Sequence, residues 1–255
     1  MRYYSFVLLL LSFSTFSQTI TLGSVDYPPY FGPRLHNYGV VSEIVQSAFK
    51  RQKVDSNVDF FPWARLMQIG KAGKVDALYT VWCTAERKRD FYYSHALFPN
   101  EVVLLKLKSL KIKFESYKDL RPYRIAYVYG YAYPDAFYQE PKLKLIKGYN
   151  DKENVEKLLA GKVDLVVIDK YQGISLLKEL SPDKAKEYDT SLNPLSIMQQ
   201  YVAVPKAIKH GHELIDKFNL GLSQMKEDGS FLELLKANDL DVEPKYWQAE
   251  QSCNP

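Results

Sequence analysis

An arginine and an aspartate, each just past the end of an apolar run, are the residues whose types and spacing could do chemistry. Arg87 follows the run at 75–81 across the polar turn Cys83-Thr84-Ala85-Glu86. In open α/β sheets, ligands sit in the crevice beyond the carboxyl ends of the strands. A guanidinium placed there can fork onto a planar carboxylate. Asp169 closes a second apolar run, 163–168, with the opposite charge. A zwitterion held between two halves of a molecule would need that pair. Each residue also has a plainer reading. An arginine in a turn is commonly a solvated surface charge, and aspartate is a favoured N-cap for the helical pattern at 170–177. For Asp169 the two roles are compatible.

The elements that must position these residues come as a repeated unit. Ala72-Gly73-Lys74-Val75-Asp76 recurs letter for letter as Ala160-Gly161-Lys162-Val163-Asp164. Each copy follows a helical pattern, each glycine stands where a helix C-cap belongs, and each copy opens a strand. Elsewhere, alternation predicts a strand over 19–25. An amphipathic helix from Gly39 buries Val40, Val41, Ile44, Val45, Ala48 and Phe49. Further strands are expected at 58–61, 101–108, 124–128 and 199–204, and further helices after Pro62 and at 151–159, 213–226 and 231–237.

With 255 residues, 46% of them hydrophobic, the chain can build one large or two modest cores. A formal charge of +4 with dispersed Lys and Arg excludes a nucleic-acid footprint. Residues 1–17 read as a secretory signal: Arg2 supplies the positive start, and the apolar core from Phe6 to Leu11 is too short to span a bilayer. Cleavage before Gln18 is expected, with no cysteine there to take a lipid anchor. In an oxidising compartment Cys83 and Cys253 are a disulfide candidate, and their spacing is not that of a metal site. No metal or cofactor is expected. His36, His95, His210 and His212 form no dyad with a nucleophile at any informative spacing.

Thr84-Ala85-Glu86-Arg87, with Phe91 and Ser94 after it, resembles the "T-x-E-R…F-S" signature of the extracytoplasmic solute-binding proteins of family 3, the amino acid receptors of ABC importers. The likeness extends over nearly all of the chain after residue 19. Asp119-Leu120-Arg121 resembles "D-L-[KR]-G" with Pro122 in place of glycine. Phe218-Asn219-Leu220-Gly221-Leu222 resembles "F-N-x-[AG]-L", and Asp228-Gly229-Ser230 with Phe231 resembles the family's closing motif. The resemblance implies a two-lobed periplasmic binding protein-like α/β fold, with two crossover strands and the ligand cleft between the lobes. Lobe 1 would comprise residues 19–104 plus 200–255, and lobe 2 residues 105–199.

The resemblance also implies site residues. Arg87 would take the ligand's carboxylate and Asp169 its ammonium. Tyr27, in the loop Asp26-Tyr27-Pro28-Pro29-Tyr30, would lay its ring over the ligand. Trp63 would wall the pocket and Arg65 reach into it; a core tryptophan with a solvated arginine is the alternative. Thr80 and Trp82 belong to the strand end, Trp82 standing where a small hydroxyl residue is common. Gly130-Tyr131-Ala132 stands where amino acid receptors carry "G-[ST]-[ST]", the start of a helix whose amides and hydroxyls bind the carboxylate; here the hydroxyls are missing. The aromatic set Tyr27, Tyr30, Trp63, Trp82, Tyr131 and Tyr133 predicts a small ligand with an apolar, aromatic or cationic portion rather than glutamate or aspartate.

The implied function is a monomeric periplasmic receptor that closes on an amino acid or similar solute and delivers it to the membrane subunits of an ABC importer. Neither nucleic acid nor a membrane anchor is involved. Two rivals share the fold: a periplasmic enzyme of the cyclohexadienyl or arogenate dehydratase kind, and a free-standing sensory subunit.

Overall fold

The computed structural model describes residues 18–238, 240 and 253; the expected export signal, 1–17, lies outside the described residues. In chain order the strands and α-helices are β1 (Gln18–Ser24), α1 (Val40–Arg51), β2 (Val54–Phe60), α2 (Trp63–Lys71), β3 (Ala77–Trp82), β4 (Phe91–Tyr93), β5 (Pro99–Leu107), β6 (Arg124–Val128), α3 (Asp135–Gln139), β7 (Lys144–Gly148), α4 (Asp151–Leu159), β8 (Leu165–Asp169), α5 (Lys170–Leu180), β9 (Tyr188–Thr190), β10 (Ser196–Pro205), α6 (Gly211–Glu227) and α7 (Ser230–Ala237).

The strands run in the order β2-β1-β3-β10-β5-β8-β6-β7, with β4 beside β10 and β9 beside β5. The path has two halves, each a twisted sheet with helices on both faces, and β10 belongs to both. Its first residues, Ser196 to Gln199, pair antiparallel with β5, and Gln200 to Ala203 pair with β3. This is the two-lobed periplasmic binding protein-like fold. In the first half, α1 and α6 cover one face and α2 the other. The apolar stripe of α1 (Val40, Val41, Ile44, Val45, Ala48 and Phe49) is fully buried. Gly221 of α6 sits so close to Ala48 that an added methyl group would collide with the Ala48 carbonyl.

The repeated pentapeptide does the same structural task in both halves. Gly73 and Gly161 take φ of 65° and 66°, a left-handed turn that glycine adopts without steric cost. The next amides, of Lys74 and Lys162, donate back to the Ile69 and Lys157 carbonyls at 3.0 and 2.9 Å, closing the ends of α2 and α4. The aspartates then clamp each half's first strand. Asp76 accepts from the Thr21 amide, and Asp164 from the Arg124 amide, both at 2.7 Å. Helix, glycine stop and pinned strand thus deliver β3 and β8 with their carboxyl ends facing a common cleft. All of β8 (Leu165–Asp169) is buried, as expected of a strand covered on both faces.

Candidate functional site

Arg87 enters the cleft because the turn before it is self-capped. The Thr84 hydroxyl accepts from the Arg87 amide at 3.1 Å, folding 84–87 into a tight turn that leads to the 3-10 segment Arg87–Arg89. The side chain runs back under the strand end and is 8% exposed. Nη1 donates to the Trp82 carbonyl at 2.9 Å and Nη2 to the Gly130 carbonyl at 2.8 Å, so one guanidinium bridges the two halves. Its carbon lies 4.9 Å from the Trp63 ring centroid. Burial pulls the guanidinium's pKa below its usual value. Among the described residues the charge is met by carbonyls and a ring face rather than by a carboxylate.

Gly130 makes that bridge possible. At φ of 83° it turns its carbonyl toward the first half, where it also accepts from Trp63 Nε1 at 3.0 Å. No helix starts at the following residue. The chain stays irregular until α3 begins at Asp135, so the turn offers Arg87 a carbonyl rather than a row of helix amides. Tyr131 instead points its ring into the cleft, edge-on to Trp63 and Trp82 with centroids 5.7 and 5.5 Å away.

Asp169 ends β8 and caps α5, accepting from the Gln172 amide at 2.9 Å. Tyr30 of the first half donates to both of its oxygens at 3.0 and 3.1 Å, and Asn100 Nδ2 to one of them at 2.8 Å. The side chain is 2% exposed, and burial above all pushes its pKa up to about 6, against the pull of these donors. Asn100 in turn accepts from Trp82 Nε1 at 3.1 Å, tying the two strand ends together through the first crossing strand.

A small chamber lies among these groups. Tyr27, Phe31, Trp63, Thr80, Trp82 and Arg87 come from the first half, Asn100 and Gln200 from the two crossing strands, and Tyr131 from the second half. Tyr27 stacks on Phe31 with centroids 5.4 Å apart. Thr80 takes φ of 62°, rare for a β-branched residue, opposite a register shift in β10. Toward solvent, Val25, Trp63 and Tyr131 also border a wider outer cleft reaching Asp151, Gln172 and Glu179.

The structure therefore brings Tyr27, Trp63, Thr80, Trp82, Arg87 and Tyr131 around one space, with Gly130 bonded to Arg87. Ala132 lines a neighbouring groove with Arg87 and Tyr138. Asp169 touches the chamber through Asn100. Arg65 is exposed, donates to Gln68 at 3.3 Å on its own helix and does not line the chamber. Cys83 and Cys253 form a disulfide with Cα atoms 5.8 Å apart, which fastens Cys253 beside the turn that carries Arg87. The sequence reading missed Asn100, Gln200, Asp151 and Gln172. For the first two a signal existed, an amide side chain in each crossing strand; the fold buries both, Asn100 at 0% and Gln200 at 2% exposure.

Solved structures of the same shape are numerous. The substrate-binding protein of an amino acid ABC transporter superposes with a TM-score of 0.72 at 21% identity, over 86% of this chain and 98% of that one. An ancestral arginine-binding protein bound to arginine gives 0.74 at 22% identity, over 86% and 97%. A histidine kinase sensor domain similar to periplasmic binding proteins gives 0.75 at 18% identity, over 86% and 95%. No helix among the described residues is long and apolar enough to cross a membrane. Residues 20–237 match the bacterial extracellular solute-binding proteins, family 3, and the chain belongs to that family.

Proposed function

We propose that this chain is a periplasmic receptor that captures an α-amino acid or closely similar solute between its halves and presents it to an ABC importer. One observation carries the reading: a buried guanidinium at a strand end, facing a chamber walled by both halves. A guanidinium has five N–H donors in a planar fork. Two are spent on carbonyls, which leaves donors for a carboxylate. Asp169, at the other strand end, supplies the charge for an ammonium group. The ligand's aromatic, apolar or cationic part packs on Trp63, Trp82 and Tyr131. The family and the neighbouring structures, which are binding proteins, support binding over turnover.

A thermal-shift screen of amino acids and organic acids, on protein refolded to strip carried-over ligand, tests the reading. A ligand at 100 times its dissociation constant stabilises by about 2.7 kcal/mol. Leucine, phenylalanine, arginine or lysine is expected to outcompete glutamate and aspartate, and the reverse order would defeat the aromatic argument. A sensory role would use the same site, and the likeness to a kinase sensor domain favours keeping it as the second reading. Uptake by vesicles carrying the importer separates the two. Stimulation by the chain supports delivery, and binding without stimulated uptake supports sensing.

A further inference from the structure

We propose that the second half carries a docking surface for an anionic phospholipid bilayer, built from Lys106, Lys108 and Lys111 with Leu192 projecting beside them. The groove they line shares no residue with the chamber or the outer cleft, and the proposal stands whether or not the receptor reading does.

Two segments form the groove. One runs from Lys106, at the end of β5, through the loop to Glu115; the other runs from Asp189 in β9 to Asn193. Both are tied down. The Lys108 amide donates to the Glu187 carbonyl at 2.8 Å, and the Ser191 amide to the Leu104 carbonyl at 2.9 Å. The Ser191 hydroxyl accepts from the Leu104 amide at 3.1 Å and donates to the Asn193 carbonyl at 2.8 Å. The Leu195 amide then returns to the Val102 carbonyl at 2.7 Å. Between these bonds Leu192 stands 100% exposed. A leucine so held forgoes the burial its side chain could gain, and a fixed apolar tip is suited to insertion into another apolar phase.

The charge beside that tip is one-sided. Lys106, Lys108, Lys111 and Lys113 line the groove against two acids, Glu115 and Asp189. Lys113 and Glu115 pair with each other. Asp189, opposite Lys106 in the β5 and β9 pair, accepts from the Thr190 amide at 2.8 Å. Lys106 is only 9% exposed, yet its ammonium group, like those of Lys108 and Lys111, has no hydrogen-bond or ion-pair partner among the described residues. A lysine with a buried stem and an unpaired head favours an anion brought from outside. Ile112 and Phe114 add apolar wall, packed on the second half's core. A small soluble anion would meet the lysines and leave Leu192 without a role. A bilayer uses both, with headgroup phosphates on the lysines and the acyl boundary around the leucine.

Co-sedimentation with vesicles, in the absence of importer and of amino acid, tests this. The chain is used as exported, from Gln18 on, because the apolar segment from Phe6 to Leu11 would itself seek lipid. Vesicles are phosphatidylcholine alone or with about a third phosphatidylglycerol. Binding to the anionic vesicles is expected to exceed binding to the neutral ones at least about tenfold, and to fall as salt is added. Lys108→Gln with Lys111→Gln is expected to weaken it at least about tenfold, and Leu192→Ser at least about threefold. Lys209→Gln with Lys217→Gln removes the same charge from exposed positions of the first half and is expected to change it less than about twofold. All of these side chains are exposed, so none of the variants threatens the fold. Equal binding to the two kinds of vesicle overturns the proposal. So does an equal loss in the first-half pair, which marks unspecific attraction to a basic protein. Unchanged binding in Leu192→Ser overturns the bilayer as occupant. Absence of vesicle binding, with capture by an acidic protein surface that the Lys108→Gln, Lys111→Gln pair abolishes, overturns it as well.

Discussion

At the scale of single residues, the site is a set of buried charges held ready by neutral partners. Arg87 is bridged to carbonyls on both halves, so Arg87→Lys keeps the charge and loses both the fork and the bridge. Ligand affinity is expected to fall by roughly 2–5 kcal/mol in Arg87→Lys and Arg87→Ala, read by titration calorimetry. Asp151 and Asp169 carry pKa values raised to about 7 and 6, against about 3.9 in an unfolded chain. The native state therefore holds protons that the unfolded state has released between about pH 4 and 7. The stability associated with both groups is present in full below about pH 4 and is lost as pH rises through their folded values. Tyr27, Tyr30, Tyr131 and Tyr133 face the pair, and burial holds their hydroxyls well above their usual pKa, so they stay neutral across that window. The ligand-free melting temperature is expected to fall from pH 5 to pH 8, and Asp151→Asn should flatten the slope; an identical slope in the variant would remove Asp151 from the account. Arg87 and Asp169 stand out in the sequence because strand ends can be read from apolar runs. Asp151 does not, since an aspartate opening a helix looks like ordinary capping and only the fold turns it toward a cleft.

At the scale of elements, the repeated pentapeptide was legible because its work is local. Two glycines end helices and two aspartates clamp neighbouring strands, using atoms only a few residues or one strand away. Elements whose identity depends on distant packing were harder to read. Five-residue α3 and β7 and three-residue β9 carry too few residues to show a period. The expected lobe division between 104 and 105 falls inside β5, the first crossing strand, whose residues from Pro99 on pair with β10, β8 or β9. An apolar crossing strand reads alike on either side of the hinge. The turn at Gly130 was recognised by its departure from the family's hydroxyl pair, but nothing in the sequence shows that its carbonyl, not its amides, would face Arg87. Gly130→Ala forces a left-handed conformation on a residue with a Cβ, at a cost of about 1–2 kcal/mol. Its expected signature is weaker ligand binding with a small loss of melting temperature. The disulfide closes a loop with a sequence separation of 170, so Cys253→Ser is expected to lower stability by about 2–5 kcal/mol in denaturant titration.

At the scale of the whole molecule, the two halves meet through the site itself. Tyr30 reaches Asp169, while Arg87 and Trp63 both reach Gly130, so these contacts between the halves are made by residues of the proposed site. On the proposed reading, ligand and closure share donors, and the closed population rises only as far as the ligand prefers that state. The two-lobed fold and the family were readable from ordered motifs spread along the chain, because each motif marks a structural duty in a fixed place. The ligand was not, because side chains that line the chamber and the outer cleft, such as Gln200 and Gln172, belong to no motif. The central claim is that an amino acid binds between the halves with its carboxylate on Arg87. Titration calorimetry of refolded wild type and Arg87→Ala against the amino acid found by screening tests it most directly. The account predicts one site per chain in wild type and loss of that binding in the variant; equal affinity in a folded Arg87→Ala would contradict it.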